Sequence, residues 1–116
     1  MSTKFLTLLV EDDILQREVM ADVLKMEGYD VIECSTAEAA ELVIATSGAE
    51  LRALVTDHKL AGDMSGAELA YFAATKFPGI NIILMSGQEV QDYPEGTCYL
   101  QKPFTASILL DAVRTG

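Results

Sequence analysis

The amino-acid sequence predicts an α/β domain built on a doubly wound parallel sheet, and two observations carry that reading. Five short apolar runs, FLTLLV (5–10), VIEC (31–34), ALVT (53–56), INIILM (80–85) and CYL (98–100), are separated by segments with helical periodicity. The runs are continuous rather than alternating, the pattern of strands buried on both faces. Strand–helix alternation of this kind wraps helices around both sides of a parallel sheet.

The elements follow in order. Leu15, Val19, Val23 and Met26 recur at helical spacing and predict the inward face of a first helix, with Gly28 as its C-terminal stop. Ser35 and Glu38 have the spacing of a capping box, predicting a second helix that carries Ala37, Ala40 and Ile44 inward and ends near Gly48. Ser65 and Glu68 repeat the device before Leu69, Phe72 and Ala73, and Phe77-Pro78-Gly79 breaks that third helix. Thr105 opens a last helix with Leu109, Ala112 and Val113 on its inner side. Five strands with right-handed crossovers suggest the order 2-1-3-4-5, a flavodoxin-like sheet. Between the fourth and fifth strands, residues 88–96 hold Val90 as their only aliphatic residue, and Pro94 and Gly96 punctuate them. One aliphatic position cannot dock a helix on a sheet, so the fourth helix of this fold is expected to be short or missing.

At 116 residues the chain is read as a single domain, 1–116, with no output domain. No run approaches the roughly 18 apolar residues of a membrane span, and MSTKFLTLLVEDD has no cleavage-site pattern, so a cytoplasmic protein without a membrane partner is expected. Eighteen acidic residues against eight basic ones give a formal charge of −10, which excludes a nucleic-acid phosphate backbone as partner. Cys34 and Cys98 lack metal-ligand spacing, with His58 the only histidine, and their strands lie at opposite edges of the expected sheet. They are read as structural thiols that stay reduced.

The strand ends carry the chemistry. Strand 1 delivers Glu11, Asp12 and Asp13; strand 3 delivers Thr56-Asp57; strand 4 delivers Ser86; strand 5 leads to Lys102-Pro103-Phe104. In the expected topology all four sets share one edge, beside the crevice where the chain leaves strands 1 and 3 in opposite directions. Clustered carboxylates need a cation, and oxygen-only ligands favour a hard one such as Mg²⁺. A hydroxyl and an ammonium at the same rim complete a site for a phosphoryl group, with Asp57 as the central candidate for the carboxylate nucleophile.

"LLVEDD", "LVTD", "ILMSG" and "LQKPF", in that order, resemble the receiver domain of bacterial two-component response regulators, and the resemblance covers the whole chain. It implies that Asp57 accepts a phosphoryl group from a phosphohistidine partner, either a sensor histidine kinase or a histidine phosphotransfer domain. Mg²⁺, or Mn²⁺ in its place, would be held by Asp12, Asp57 and the backbone carbonyl of Lys59, with Glu11 acting through water. Ser86 and Lys102 would assist the transfer. Ser86 and Tyr99 match the switch hydroxyl and switch aromatic, and Pro103 the cis-bonded proline that turns Lys102 toward the acids. Asp13 fits a variable third acidic position or caps the first helix.

The resemblance further implies a protein that is not an enzyme beyond its self-catalysed phosphotransfer and autodephosphorylation. It would signal by phosphorylation-dependent binding of a downstream protein, or serve as a phosphate carrier or sink. The form GDMSG (62–66) resembles receivers attached to hybrid kinases. Two other classes compete. A Mg²⁺-dependent phosphohydrolase with an Asp nucleophile needs a second Asp two residues on, where Lys59 stands. A phosphorylation-independent binding module would not need the intact set Asp57, Asp12 and Lys102.

Overall fold

The computed structural model describes residues 5–115. Its elements are β1 (Leu6–Val10), α1 (Ile14–Met26), β2 (Asp30–Cys34), α2 (Ala37–Ser47), a 3-10 turn (Gly48–Glu50), β3 (Leu51–Asp57), α3 (Gly66–Lys76), β4 (Asn81–Ser86), β5 (Cys98–Gln101) and α4 (Ala106–Arg114). The strands form one sheet in the order β2-β1-β3-β4-β5, and every neighbouring pair is parallel. This is the flavodoxin-like order expected from the apolar runs.

Side chains alternate across a strand, so each strand feeds two cores. Leu8, Val10, Leu54 and Ile82 point to the side of α2 and α3, against Ala40, Ile44, Leu69 and Ala73. Leu9, Val55, Ile83 and Met85 point the other way, against Met20 and Leu24 of α1 and Leu109 and Val113 of α4. The chain therefore leaves β1 toward one face and β3 toward the other. Their C-terminal ends lie side by side, Val10 opposite Thr56, and the crevice opens beyond them. Asn81 ties α4 to the sheet by donating through Nδ2 to the carbonyls of Ala112 and Val113 at 2.9 and 3.1 Å.

Two local expectations are corrected. In α1 the sheet buries Met20, Ala21 and Leu24, while Leu15, Val19 and Met26 are exposed. The helix carries two apolar stripes, and the sheet accepts the one with a small residue, Ala21, at its centre. The cap of α2 is Thr36 rather than Ser35: its Oγ accepts from the Ala39 N–H at 3.1 Å. Glu38 then stands one position too early to complete a capping box, and its carboxylate turns elsewhere. The other caps lie where the spacing put them. Ser65 and Glu68 form the reciprocal box, Thr105 caps α4, and Gly28 takes a left-handed φ of 91° just past α1.

Among the described residues no helix forms between β4 and β5, and α4, the fourth helix of the chain, has only nine residues. The connection 87–97 is a strap held at its flanks. The Tyr71 hydroxyl donates to Asp92, the Tyr99 hydroxyl donates to the Gln88 carbonyl at 2.7 Å, and Tyr93 stacks on Tyr99 at 5.7 Å. Cys34 and Cys98 are free thiols on the two edge strands. No helix among the described residues is long and apolar enough to cross a membrane.

Candidate functional site

Four strand ends converge on one cleft, lined by Glu11, Asp12, Asp57, Ser86 and Lys102 and walled on one side by the loop from His58 to Ser65. The acidic triplet after β1 divides its labour. Glu11 turns inward, with its side chain 1% exposed. Asp12 stays at the mouth, exposed. Asp13 caps α1, its Oδ1 accepting from the Gln16 N–H at 2.9 Å, while its own N–H donates to Glu11 Oε2 at 3.2 Å.

Asp57 ends β3 and is buried. Lys102 reaches over from beyond β5: its Nζ lies 3.1 Å from Asp57 Oδ1 and 3.0 Å from Glu11 Oε1. The Lys102–Pro103 peptide bond is cis. One oxygen from each of Glu11, Asp12 and Asp57 falls within 4.8 Å of the others. Three carboxylates thus face a single ammonium, a formal excess of two negative charges.

The titration behaviour follows from this crowding. Burial pushes both the Glu11 and the Asp57 carboxyls above their ordinary values, with Lys102 opposing it in each case. A neighbouring carboxylate adds to the rise, Asp57 for Glu11 and Asp12 for Asp57. For Lys102, burial alone would lower the pKa, but its contacts with Glu11 and Asp57 outweigh it and the net shift is upward. An all-oxygen donor set with surplus negative charge fits a hard divalent cation, which would relieve what one ammonium leaves uncompensated.

Ser86, at the end of β4, is buried, and its Oγ accepts the Gln88 N–H at 3.1 Å, leaving its own proton free to donate. Lys59 lies on the cleft wall with its side chain in solvent. Tyr99 is half-buried on β5 and linked to Ser86 through Gln88.

Sequence reasoning missed several supporting contacts. Gln16 Oε1 accepts from Lys102 Nζ at 2.8 Å, and Arg17 donates to the Glu11 carbonyl at 2.8 Å. His58 Nδ1 accepts the Ala67 N–H at 3.3 Å. Gly66 packs so close under the site that a Cβ there would lie 2.0 Å from the Asp57 carbonyl oxygen. Its place after GDMS was a legible signal. The others depend on helix orientation and had none.

Fold and cleft together define a class, a flavodoxin-like α/β domain whose carboxyl edge is shaped for a hard cation and a phosphoryl group. Comparison with known proteins makes the class specific. The family model described as response regulator receiver domain matches residues 7–114, and the chain belongs to that family. It is 35% identical over 112 residues to the response regulator protein FleR of Pseudomonas aeruginosa, covering 91% of this chain but 23% of that protein's length. Among solved structures it resembles a CheY-like receiver domain protein of Methanospirillum hungatei (TM-score 0.85, 27% identity, 96% of this chain and 91% of that one). It also resembles the receiver domain of the hybrid histidine kinase CckA (TM-score 0.82, 27% identity, 94% and 95%). A receiver protein of Sinorhizobium medicae shares the fold at a TM-score of 0.87 and 24% identity, over 95% of this chain and 91% of that one.

The chain is a phosphoacceptor domain of two-component signalling. Its family binds Mg²⁺ at an acidic pocket and works with histidine kinases or phosphotransfer proteins, and the acidic cluster here occupies that edge of the fold.

Proposed function

We propose that Asp57 is the residue phosphorylated, by a phosphohistidine on a sensor kinase or a histidine phosphotransfer domain. The observation that carries this is its position. It is a buried carboxylate at the end of the central strand, paired with Lys102 at 3.1 Å and flanked by Glu11 and Asp12. An Asp57 oxygen attacks phosphorus in line. The new O–P bond forms as the P–N bond to histidine breaks, and the electron pair returns to the imidazole. Lys102 is placed to neutralise a phosphoryl oxygen, and the free Ser86 proton to donate to another.

Asp12, Asp57 and the Lys59 carbonyl would hold Mg²⁺, or Mn²⁺ in its place, with Glu11 acting through water. When bound, the cation supplies positive charge to the phosphoryl oxygens. The same site would release the phosphate by hydrolysis. The phosphorylated domain signals by binding a downstream protein or passes the group onward in a relay. Two free thiols fit a reducing compartment, and we place the protein in the cytoplasm.

The experiment is intact-mass measurement after incubation with a small acyl phosphate. Wild type should gain one phosphoryl group with Mg²⁺ present and none in excess chelator, and Asp57→Asn and Asp12→Ala should gain little or none. Labelling that survives chelation would refute the metal-dependent reading.

A further inference from the structure

We propose that Glu38, on α2 and outside the cleft, is a positioning residue that sets the β3–α3 loop as the cation-binding wall of the site. This loop runs from His58 to Ser65 and lines the cleft along its length. Its two ends are joined by the Gly66 N–H donating to the His58 carbonyl at 2.8 Å. Its middle is carried by α2 and the segment before it. Thr36 bridges Ala61, and Glu38 Oε2 accepts both the Asp63 and Met64 N–H groups, each at 3.1 Å.

Gly62 folds tightly over the same carboxylate. It has a left-handed φ of 96°, and a Cβ there would lie 2.9 Å from Glu38 Oε1. One side chain thus gathers three successive residues of the loop, 25 and 26 positions further along the chain for the two hydrogen bonds.

The carboxyl is matched to that task. Its own backbone N–H leads in holding it below the ordinary carboxylate range; desolvation opposes this, and the Asp63 and Met64 N–H groups assist. Glu38 is therefore the charged acceptor throughout the neutral range. A glutamate in the first turn of a helix also favours that helix through the backbone dipole, and this is the purely structural role against which the proposal is set. The dipole needs only a negative charge at that turn. Anchoring needs an acceptor oxygen at the reach of a glutamate side chain.

The consequence rests on the reading above that the Lys59 carbonyl, on this same loop, is a ligand of the cation. A cation site tolerates little displacement of its donors, and Mg²⁺ in particular demands near-octahedral geometry. Releasing the loop from Glu38 should cost metal affinity without touching any carboxylate in the cleft.

The test is calorimetric titration with Mg²⁺ alone on wild type, Glu38→Ala, Glu38→Gln and Glu38→Asp, with metal-free melting curves as the folding control. Glu38→Ala should weaken Mg²⁺ binding about tenfold, and Glu38→Gln, which keeps an acceptor oxygen in place, should stay within about threefold of wild type. Glu38→Asp keeps the charge at the helix start but falls short of the loop, and should behave like the alanine variant. Amide exchange at Asp63 and Met64 should quicken in the Ala and Asp variants alone.

Wild-type affinity in Glu38→Asp, or an equal loss in Glu38→Gln and Glu38→Ala, would overturn the proposal while leaving the cation site intact. No Mg²⁺ binding by the wild type would overturn both readings together.

Discussion

Lys102 Nζ donates to Glu11 Oε1 at 3.0 Å across 91 residues of chain, and among the described residues Glu11, with 1% of its side chain exposed, pairs with no other cation. Breaking a buried pair costs about 3–5 kcal/mol, because it strands a charge. Here the cost should be about 1–3 kcal/mol, because the lysine side chain is 22% exposed and partly screened. Lys102→Met should therefore lower metal-free stability in urea unfolding at pH 8. The loss should shrink at pH 4, because the Glu11 carboxyl, raised by burial above its ordinary 4.5, takes up a proton there and no longer needs the ammonium. An equal loss at both pH values would contradict the pairing.

Asp57 and Glu11 should make the metal-free domain less stable as pH rises. Burial lifts both folded-state pKa values above their ordinary 3.8 and 4.5. The folded state therefore binds these protons more tightly than the unfolded chain. Stability from this source is full below about pH 4 and is lost as pH climbs through the raised values. The upward shift of Lys102 contributes throughout this window and is lost only at alkaline pH. Asp57→Asn removes one of the two carboxylates. In chelator its melting temperature should exceed wild type at pH 7, by about 4 °C for each kcal/mol of crowding relieved, and by little at pH 4. A gain that is the same at both pH values would show that charge crowding is not its origin.

Gly66→Ala should destabilise the fold although it stands in the first turn of a helix. Alanine normally favours a helix over glycine by about 1 kcal/mol. At this position the added methyl would meet the Asp57 carbonyl oxygen at 2.0 Å and the His58 Cα at 2.8 Å, both backbone atoms that cannot swing aside. Overpacking against fixed atoms costs about 1–3 kcal/mol or more. Urea unfolding would show the loss, with reduced phosphorylation of the folded fraction. A neutral or stabilised variant would mean that the loop and Asp57 are less closely packed than described.

The strap between β4 and β5 should exchange its amides quickly while its side chains stay ordered. Within it the Thr97 N–H donates to the Pro94 carbonyl, and the Gln88 N–H donates to Ser86 Oγ. Residues 89–93 lie outside any ladder. Tyr71, Tyr93 and Tyr99 hold the segment by their rings and hydroxyls instead. Hydrogen exchange should find 89–93 nearly unprotected, and Tyr99→Phe should broaden the signals of Tyr93. Strong protection of those amides would indicate a helix.

The sheet was legible because strands buried on both faces leave continuous apolar runs, and the strand order then placed Glu11, Asp57, Ser86 and Lys102 along one edge. Local capping was legible where a single spacing served it, as at Ser65 and Glu68. The orientation of α1 was not. Its two apolar stripes are equally periodic, and only packing against the sheet selects Met20, Ala21 and Leu24. The same limit hid Gln16 and Glu38. Their partners, Lys102 and the Asp63–Met64 pair, lie far along the chain and meet them only after the helices have docked.

Asp57 as the phosphoacceptor is tested most directly by mapping the modified residue, because His58 stands beside it with a ring that is also a chemically competent acceptor. An aspartyl phosphate is an acyl phosphate that borohydride reduces to homoserine, whereas a phosphohistidine is not reduced. After labelling with a small acyl phosphate and Mg²⁺, reduction and peptide mass spectrometry should find homoserine at position 57 and an unmodified His58. Phosphate retained on His58, or homoserine at position 12 with residue 57 unchanged, would contradict the account.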